Sequence, residues 1–258
     1  MEITFTPLSP VFLSIGFLKF HYYGLMYVLS FVLGYFILPY IFKLRKLDIK
    51  KEAFENIYFY IILGGLIGGR LFFVLFYNLD FYIANPLKIF AIWEGGMASH
   101  GGFIGAFISA YIMTKKYKIP FLRFIDSLII PAGIGLMLGR FGNFINGELY
   151  GKITNVSWCI NFDNAEGCRH PTQLYAMLKD FILFIIIFNF RKSSWKPGIL
   201  AILALSIYAI FRFIVEFFKE VLNTDLLLLN LNKGQWFSII LLVLCSILFM
   251  IFNKEKKL

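Results

Sequence analysis

Residues 198–218 read Gly-Ile-Leu-Ala-Ile-Leu-Ala-Leu-Ser-Ile-Tyr-Ala-Ile-Phe-Arg-Phe-Ile-Val-Glu-Phe-Phe. The run is long enough to cross a bilayer, for which a helix needs roughly 20 residues. A helix is also the form in which a single chain segment satisfies its own backbone groups in lipid. Helical spacing puts Tyr208, Arg212 and Glu216 in one stripe, at i, i+4 and i+8. As a stability device the pair is poorly ordered, because arginine precedes glutamate and the carboxylate lies near the helix C-terminus. An arginine inside a span costs about 2.5–3.5 kcal/mol on insertion scales. One reading is a structural ion pair; the other is an arginine held by Glu216 and aimed at an anion.

Working outward, six further apolar stretches have spanning length, near 21–41, 57–77, 98–114, 125–141, 174–190 and 236–252. The 258-residue chain is 59% hydrophobic and 19% aromatic, with only 16% charged residues. This composition excludes an ordinary soluble domain. The expected fold is an all-α polytopic membrane protein with seven transmembrane helices. The first residues, Met-Glu-Ile-Thr-Phe-Thr-Pro, carry no basic n-region and no small-residue cleavage site, so no cleaved signal peptide is expected.

The net charge of +10 is distributed by loop rather than by patch. Lys43, Arg45, Lys46, Lys50 and Lys51 fall in one loop, and Lys115, Lys116, Lys118 and Arg123 in another. Arg191, Lys192 and Lys196 follow, then Lys254, Lys256 and Lys257. The opposite side holds Lys19, Lys88, Lys152, Arg169, Lys219 and Lys233, so the bias is fifteen to six. The positive-inside rule then puts the N-terminus outside and the C-terminus in the cytoplasm, the parity that seven crossings require. The basic loops are read as topology signals and contacts for membrane lipids, not as a nucleic-acid surface.

No internal repeat or linker divides the chain, so residues 1–258 are read as one transmembrane domain. The one long connection, 142–173, is read as a small extracytoplasmic head inserted between the fourth and fifth spans. Cys159 and Cys168 both lie in it; an oxidising compartment permits a disulfide, but spacing leaves the question open. Small residues mark close helix packing: Gly64, Gly65, Gly68 and Gly69 in the second span, Gly101 and Gly105 in the third, Gly135 and Gly139 in the fourth.

Orientation converts position into depth. His21, Tyr22, Tyr23, His100, His170, Gln173, Tyr175, Gln235 and Ser238 begin odd-numbered spans; Arg70, Arg140, Arg212 and Glu216 end even-numbered ones. All fall in the outer third. The densest group is Gly139-Arg140-Phe141-Gly142-Asn143-Phe144-Ile145-Asn146-Gly147-Glu148-Leu149-Tyr150-Gly151, donors and a carboxylate where a span meets water. A secondary transporter would instead place its substrate groups near the midplane. His100, flanked by glycines, can take up a proton near neutral pH. There is no G-x-S-x-G, H-E-x-x-H or Walker A sequence, and Cys159, Cys168 and His170 lack a fourth ligand at metal-site spacing, so neither metal nor cofactor is expected. A lipid or solute transporter using the same pocket is the main alternative. A polyprenyl-lipid transferase is disfavoured by its need for clustered carboxylates.

Residues 139–151 resemble, position by position, the signature of the bacterial phosphatidylglycerol–prolipoprotein diacylglyceryl transferases. Tyr22-Tyr23-Gly24-Leu25-Met26-Tyr27, Gly68-Gly69-Arg70, Trp93-Glu94-Gly95-Gly96-Met97 and His100-Gly101-Gly102 are similar to further family blocks, in order. So are Arg169-His170-Pro171-Thr172-Gln173-Leu174-Tyr175, Phe211-Arg212-Phe213-Ile214-Val215-Glu216-Phe217-Phe218 and Gly234-Gln235. Ala176 departs from the pattern, standing where many relatives carry glutamate. The head also looks shorter than in some relatives.

The resemblance implies an enzyme of the bacterial cytoplasmic (inner) membrane whose site faces the extracytoplasmic leaflet. It implies transfer of the diacylglyceryl group of phosphatidylglycerol to the lipobox cysteine of a prolipoprotein signal peptide, releasing glycerol phosphate. In that reading His100 takes the thiol proton, and Arg140 and Arg212 hold the phosphate. Asn143, Asn146 and Glu148 meet the headgroup hydroxyls, while Glu216 and Tyr208 set the arginine. Tyr23 and Arg70 line the entrance; His170 and Gln173 complete the substrate-facing set, His170 as an orienting group. Phosphate contacts or a water are alternatives to His100 as base.

Overall fold

A computed structural model describes residues 3–16, 18–220 and 228–254. Lys256 and Lys257, counted above among the basic loops, lie outside the described residues. The chain forms two compact units, one of Met1–Arg45 with Ile125–Leu258 and the other of Lys46–Phe124.

The larger unit is built on α1 (Tyr22–Leu44), α5 (Phe121–Ile145), α6 (Thr172–Asn189), α7 (Ile199–Glu216) and α8 (Lys233–Lys254). Helix α5 begins four residues before the unit boundary. Its core is apolar at one end, where Ile41, Ile130, Leu183, Ile187, Leu200 and Ala204 pack together. The same end holds one fully buried carboxylate, Asp126, which caps α7 from another helix. Its two oxygens accept from the Gly198 and Ala201 backbone N–H groups, both at 2.9 Å, and Arg45 pairs with it at 3.2 Å. The first N–H groups of a helix have no internal partner, so this carboxylate satisfies donors that lipid could not. Helix α8 starts on a reciprocal cap. The Asn232 N–H donates to Gln235 Oε1 at 3.0 Å, and the Gln235 N–H donates to Asn232 Oδ1 at 2.8 Å.

The connection after α5 carries a small sheet, β1 (Ile3–Phe5), β4 (Ile160–Phe162) and β5 (Cys168–Arg169). β4 is central, parallel to β1 and antiparallel to β5. The Phe5 ring stacks on that of Phe144, Phe162 meets both edge-on, and Cys159 is bonded to Cys168. The head therefore recruits the N-terminal strand, which its expected limits of 142–173 leave out. A second sheet, β2 (Val11–Ile15) with β3 (Leu18–His21), is a hairpin leading directly into α1.

The smaller unit pairs α2 (Lys51–Tyr77) with α4 (Ser99–Lys116). Their backbones nearly touch. A Cβ on Gly68 would sit 2.4 Å from the Gly101 carbonyl oxygen, and one on Gly105 would sit 2.1 Å from that of Gly64. The expected G-x-x-x-G packing of the second and third spans is thus formed. Between these helices lies a second long connection not anticipated from sequence: α3 (Leu79–Ala84) and 3-10 turns at Pro86–Phe90 and Ile92–Glu94.

Among the described helices, α1, α2, α5, α6, α7 and α8 are long and apolar enough to cross a membrane. Helix α4 forms where the third span was expected, but Ser99, His100 and its glycines leave it less apolar than those six.

Candidate active site

The end of α5 carries Arg140 and Asn143, and the chain turns back so that Glu148 faces them. Gly147 makes the turn possible: its φ is +63°, and a Cβ there would meet Pro7 at 2.4 Å. Arg140 Nη1 donates to Asn143 Oδ1 at 3.4 Å, and Asn143 Nδ2 donates to Glu148 Oε2 at 3.3 Å. Asn146 Nδ2 reaches the other carboxylate oxygen at 3.1 Å. From the start of α6, Gln173 Nε2 donates to the Glu148 carbonyl at 2.7 Å, and the Thr172 hydroxyl donates to that of Leu149 at 2.8 Å. Two buried acceptors in this network, Asn146 Oδ1 and Gln173 Oε1, receive no hydrogen bond. Buried acceptors are seldom left so, because an unmade bond costs about 1–3 kcal/mol. Tyr23 stands alongside, its ring 3.0 Å from where a Cβ on Gly142 would be, and its hydroxyl is 3.0 Å from that of Tyr27.

Helix α7 contributes the predicted stripe. Arg212 Nη1 donates to the Tyr208 hydroxyl at 3.3 Å, and Nε lies 3.5 Å from Glu216 Oε1. The sequence reading made Arg212 the partner of Glu216. The closer partner is Lys219, three residues past the end of α7, whose Nζ lies 2.6 Å from the same oxygen. Glu216 also packs against the first turn of α8, where a Cβ on Gly234 would come within 2.4 Å of its carboxyl carbon. Burial pulls the Lys219 pKa below the ordinary lysine value; Glu216 opposes this, while Arg140 and Arg212 both add to it. Both arginines therefore act on one lysine and belong to one electrostatic cluster. Three cations, Arg140, Arg212 and Lys219, face two carboxylates, Glu148 and Glu216. Most N–H groups of the two arginines make no hydrogen bond within the described residues.

Arg70 and His100 belong to the smaller unit. Arg70 is 5% exposed. It donates to the backbone carbonyls of Lys88, Ile89, Ala91, Gly95 and Gly96, at 2.5–3.2 Å, and its guanidinium lies 5.1 Å from the centre of the Tyr82 ring. A guanidinium has five N–H groups, and here five carbonyls take them. Arg70 thereby holds the 85–96 connection in place. His100 sits in the first turn of α4, exposed, with its ring 6.4 Å from that of Phe72.

His170 lies at the base of the head. Its Nδ1 is 3.1 Å from the Tyr175 hydroxyl, to which Trp158 Nε1 donates at 2.7 Å. Burial, with the Lys152 ammonium beside it, lowers its pKa and keeps the ring neutral at neutral pH. Sequence reasoning passed over two groups that the fold brings to the cluster. Lys219 was read only as a loop charge, although its i+3 spacing from Glu216 was visible. Lys179 and Asp180 on α6 form a buried ion pair, and their adjacency gave no helical-face signal. Among the described residues, no three His, Cys, Asp or Glu side chains gather as a metal site.

Comparison with known proteins adds independent support. A family model described as prolipoprotein diacylglyceryl transferase matches residues 10–251. The phosphatidylglycerol–prolipoprotein diacylglyceryl transferase of Geobacter sulfurreducens is 42% identical over 218 residues, 84% of each chain. That of Rickettsia felis is 41% identical over 252 residues, covering 95% of this chain and 97% of its own. That of Ehrlichia ruminantium is 38% identical over 246 residues, 92% of this chain and 94% of its own. With a signature group held in one charged cluster and similarity running nearly end to end, this chain belongs to the prolipoprotein diacylglyceryl transferase family.

Proposed function

We propose that this protein transfers the diacylglyceryl group of phosphatidylglycerol to the lipobox cysteine of a prolipoprotein. The observation that carries this reading is the pairing of open donors with orphaned acceptors at one place. Arg140 and Arg212 offer N–H groups suited to a phosphodiester. Asn146 Oδ1 and Gln173 Oε1 are buried acceptors suited to hydroxyl donors. Phosphatidylglycerol carries both complements, an anionic phosphate and a glycerol head.

The sulfur attacks the diacylglyceryl carbon that bears the phosphate ester. A C–S bond forms as the C–O bond breaks, and the bonding pair leaves on the glycerol phosphate oxygen. Cations already fixed at that oxygen stabilise the charge as it develops. The thiol, with a free pKa of about 8.5, must lose its proton, and His100 is the residue we assign to that step. Asn143 and Glu148 orient the head together with Asn146, and Glu216 and Tyr208 orient Arg212. In the membrane, α4 serves as a seventh crossing, so that the N-terminus is outside and the C-terminus cytoplasmic. Residues 1–258 work as one transmembrane domain with an extracytoplasmic head.

Incubation of the purified protein with phosphatidylglycerol and a lipobox peptide tests the reading. Mass spectrometry should find the peptide heavier by one diacylglyceryl group, and His100→Gln should abolish the gain without reducing membrane insertion. Movement of phosphatidylglycerol between vesicles with no covalent product would make the protein a transporter instead.

A further inference from the structure

Lys179 and Asp180, near the middle of α6, are 8% and 0% exposed. Neighbours in sequence point about 100° apart on a helix and do not normally meet. Here both turn into the same interior, and the Lys179 ammonium is bonded to Asp180 Oδ1. A buried ion pair is weak evidence for stability, since a well-packed apolar pair often serves as well or better. Its surroundings point to another use. The Lys179 ammonium lies 4.4 Å from the centre of the Tyr208 ring, the same residue whose hydroxyl accepts from Arg212. Asp180 Oδ2 is buried and receives no hydrogen bond. Through Tyr208 the pair adjoins Arg212, a group that the proposed function assigns to the phosphate, and the inference rests on that reading.

We propose that Lys179 is a positioning residue for the anion site, bonded to Asp180 and lying over Tyr208. Its cation holds the phenol ring by its face, and so keeps the hydroxyl where Arg212 Nη1 finds it. Its charge cancels the Asp180 carboxylate, which left alone in a low-dielectric interior would draw the two guanidinium groups away from an incoming phosphate. Lys179 itself touches no reacting atom in this scheme. It sets how many arginine N–H groups are available before lipid arrives.

The test is steady-state kinetics of the full chain in proteoliposomes, varying phosphatidylglycerol against a fixed lipobox peptide. Lys179→Met should raise the KM for phosphatidylglycerol by roughly tenfold while kcat falls by less than about threefold, the pattern of lost ground-state binding. Lys179→Arg keeps a cation that can stack on Tyr208 and pair with Asp180, and should return KM to within about twofold of wild type. If Lys179→Met does not fold, the double variant Lys179→Met with Asp180→Asn decides, because it buries no unpaired charge. Its KM should stay raised, since Tyr208 has still lost its cation. A wild-type KM in whichever of these two variants decides the test, or a Lys179→Arg enzyme as poor as Lys179→Met, would overturn the proposal and leave the function standing. A wild-type enzyme that produces no lipidated peptide would overturn both.

Discussion

Arg70 and Arg212 are both arginines near the C-terminal end of an apolar helix, and from sequence they look alike. The structure separates them. Arg70 gives its N–H groups to five backbone carbonyls of the connection that follows its helix. Among the described residues, Arg212 makes one hydrogen bond of 3.3 Å, to Tyr208, and a 3.5 Å ion pair, and Arg140 makes one hydrogen bond of 3.4 Å. The first is a staple and the other two are open hands. The difference lies in what surrounds them. The 85–96 connection turns through two short 3-10 segments, and five of its carbonyls lie where the buried guanidinium can donate to them. At the ends of α5 and α7 the two guanidinium groups meet side chains, Asn143, Tyr208 and Glu216, and among the described residues no backbone carbonyl.

The comparison is most directly broken by removing each arginine. Arg140→Ala and Arg212→Ala should lose about 10²–10³-fold in lipidation rate, as expected for a donor to developing charge, while thermal unfolding in detergent stays near wild type. Arg70→Ala should do the reverse. Orphaned carbonyls should cost about 3 kcal/mol or more, read as a lower melting temperature, with Arg70→Lys a poor substitute because one ammonium cannot reach five acceptors. Equal loss of stability in Arg70→Ala and Arg212→Ala would erase the distinction.

A second contrast sets close-packed glycines against open ones. Gly68→Leu or Gly101→Val must push α2 and α4 apart and should destabilise by about 1–3 kcal/mol or more. Nothing lies within 4 Å of a Cβ on Gly139, so Gly139→Ala should leave the melting temperature unchanged or slightly raised. Smaller again is the effect at Glu216, which sharpens the account of Arg212. Glu216→Gln should lower activity by about tenfold and Glu216→Asp by less, since the charge shared by Arg212 and Lys219 survives in the latter. Equal effects would mean that Glu216 only fills space beside Gly234.

The smallest expected effect concerns His170, whose ring the head keeps neutral. Its folded pKa lies below the unfolded value of about 6.5, so the unfolded chain takes up the proton first. Stability should be full above that pH and decline as pH falls below it. His170→Gln should flatten this decline in melting curves recorded between pH 7 and 5; an unchanged slope would assign it to other groups.

Much of this was legible in the chain. The long apolar runs became helices close to their expected limits, and the G-x-x-x-G pairs of the second and third spans met because glycine spacing is itself a statement about backbone approach. Arg140, Asn143, Asn146 and Glu148 stand within nine residues of sequence, so their grouping needed little from the fold. Other features were not readable. The β1 strand joins the head across more than 150 residues, and no local pattern in Ile3–Phe5 names Ile160–Phe162 as its partner. The 78–98 connection has too little periodicity to announce α3 or its 3-10 turns, and Arg70 reaches its carbonyls from the helix before it.

By itself the sequence determined that this chain is apolar enough to form membrane-length helices and which residue types gather near their ends, because hydrophobic length and helical period are local properties. The tertiary structure alone decided what each charge faces: carbonyls for Arg70, Lys219 for Glu216, Tyr208 and a buried carboxylate for Lys179. Electrostatic and hydrogen-bond energies depend on distance in space, and residues far apart in the chain set that distance only when the helices pack.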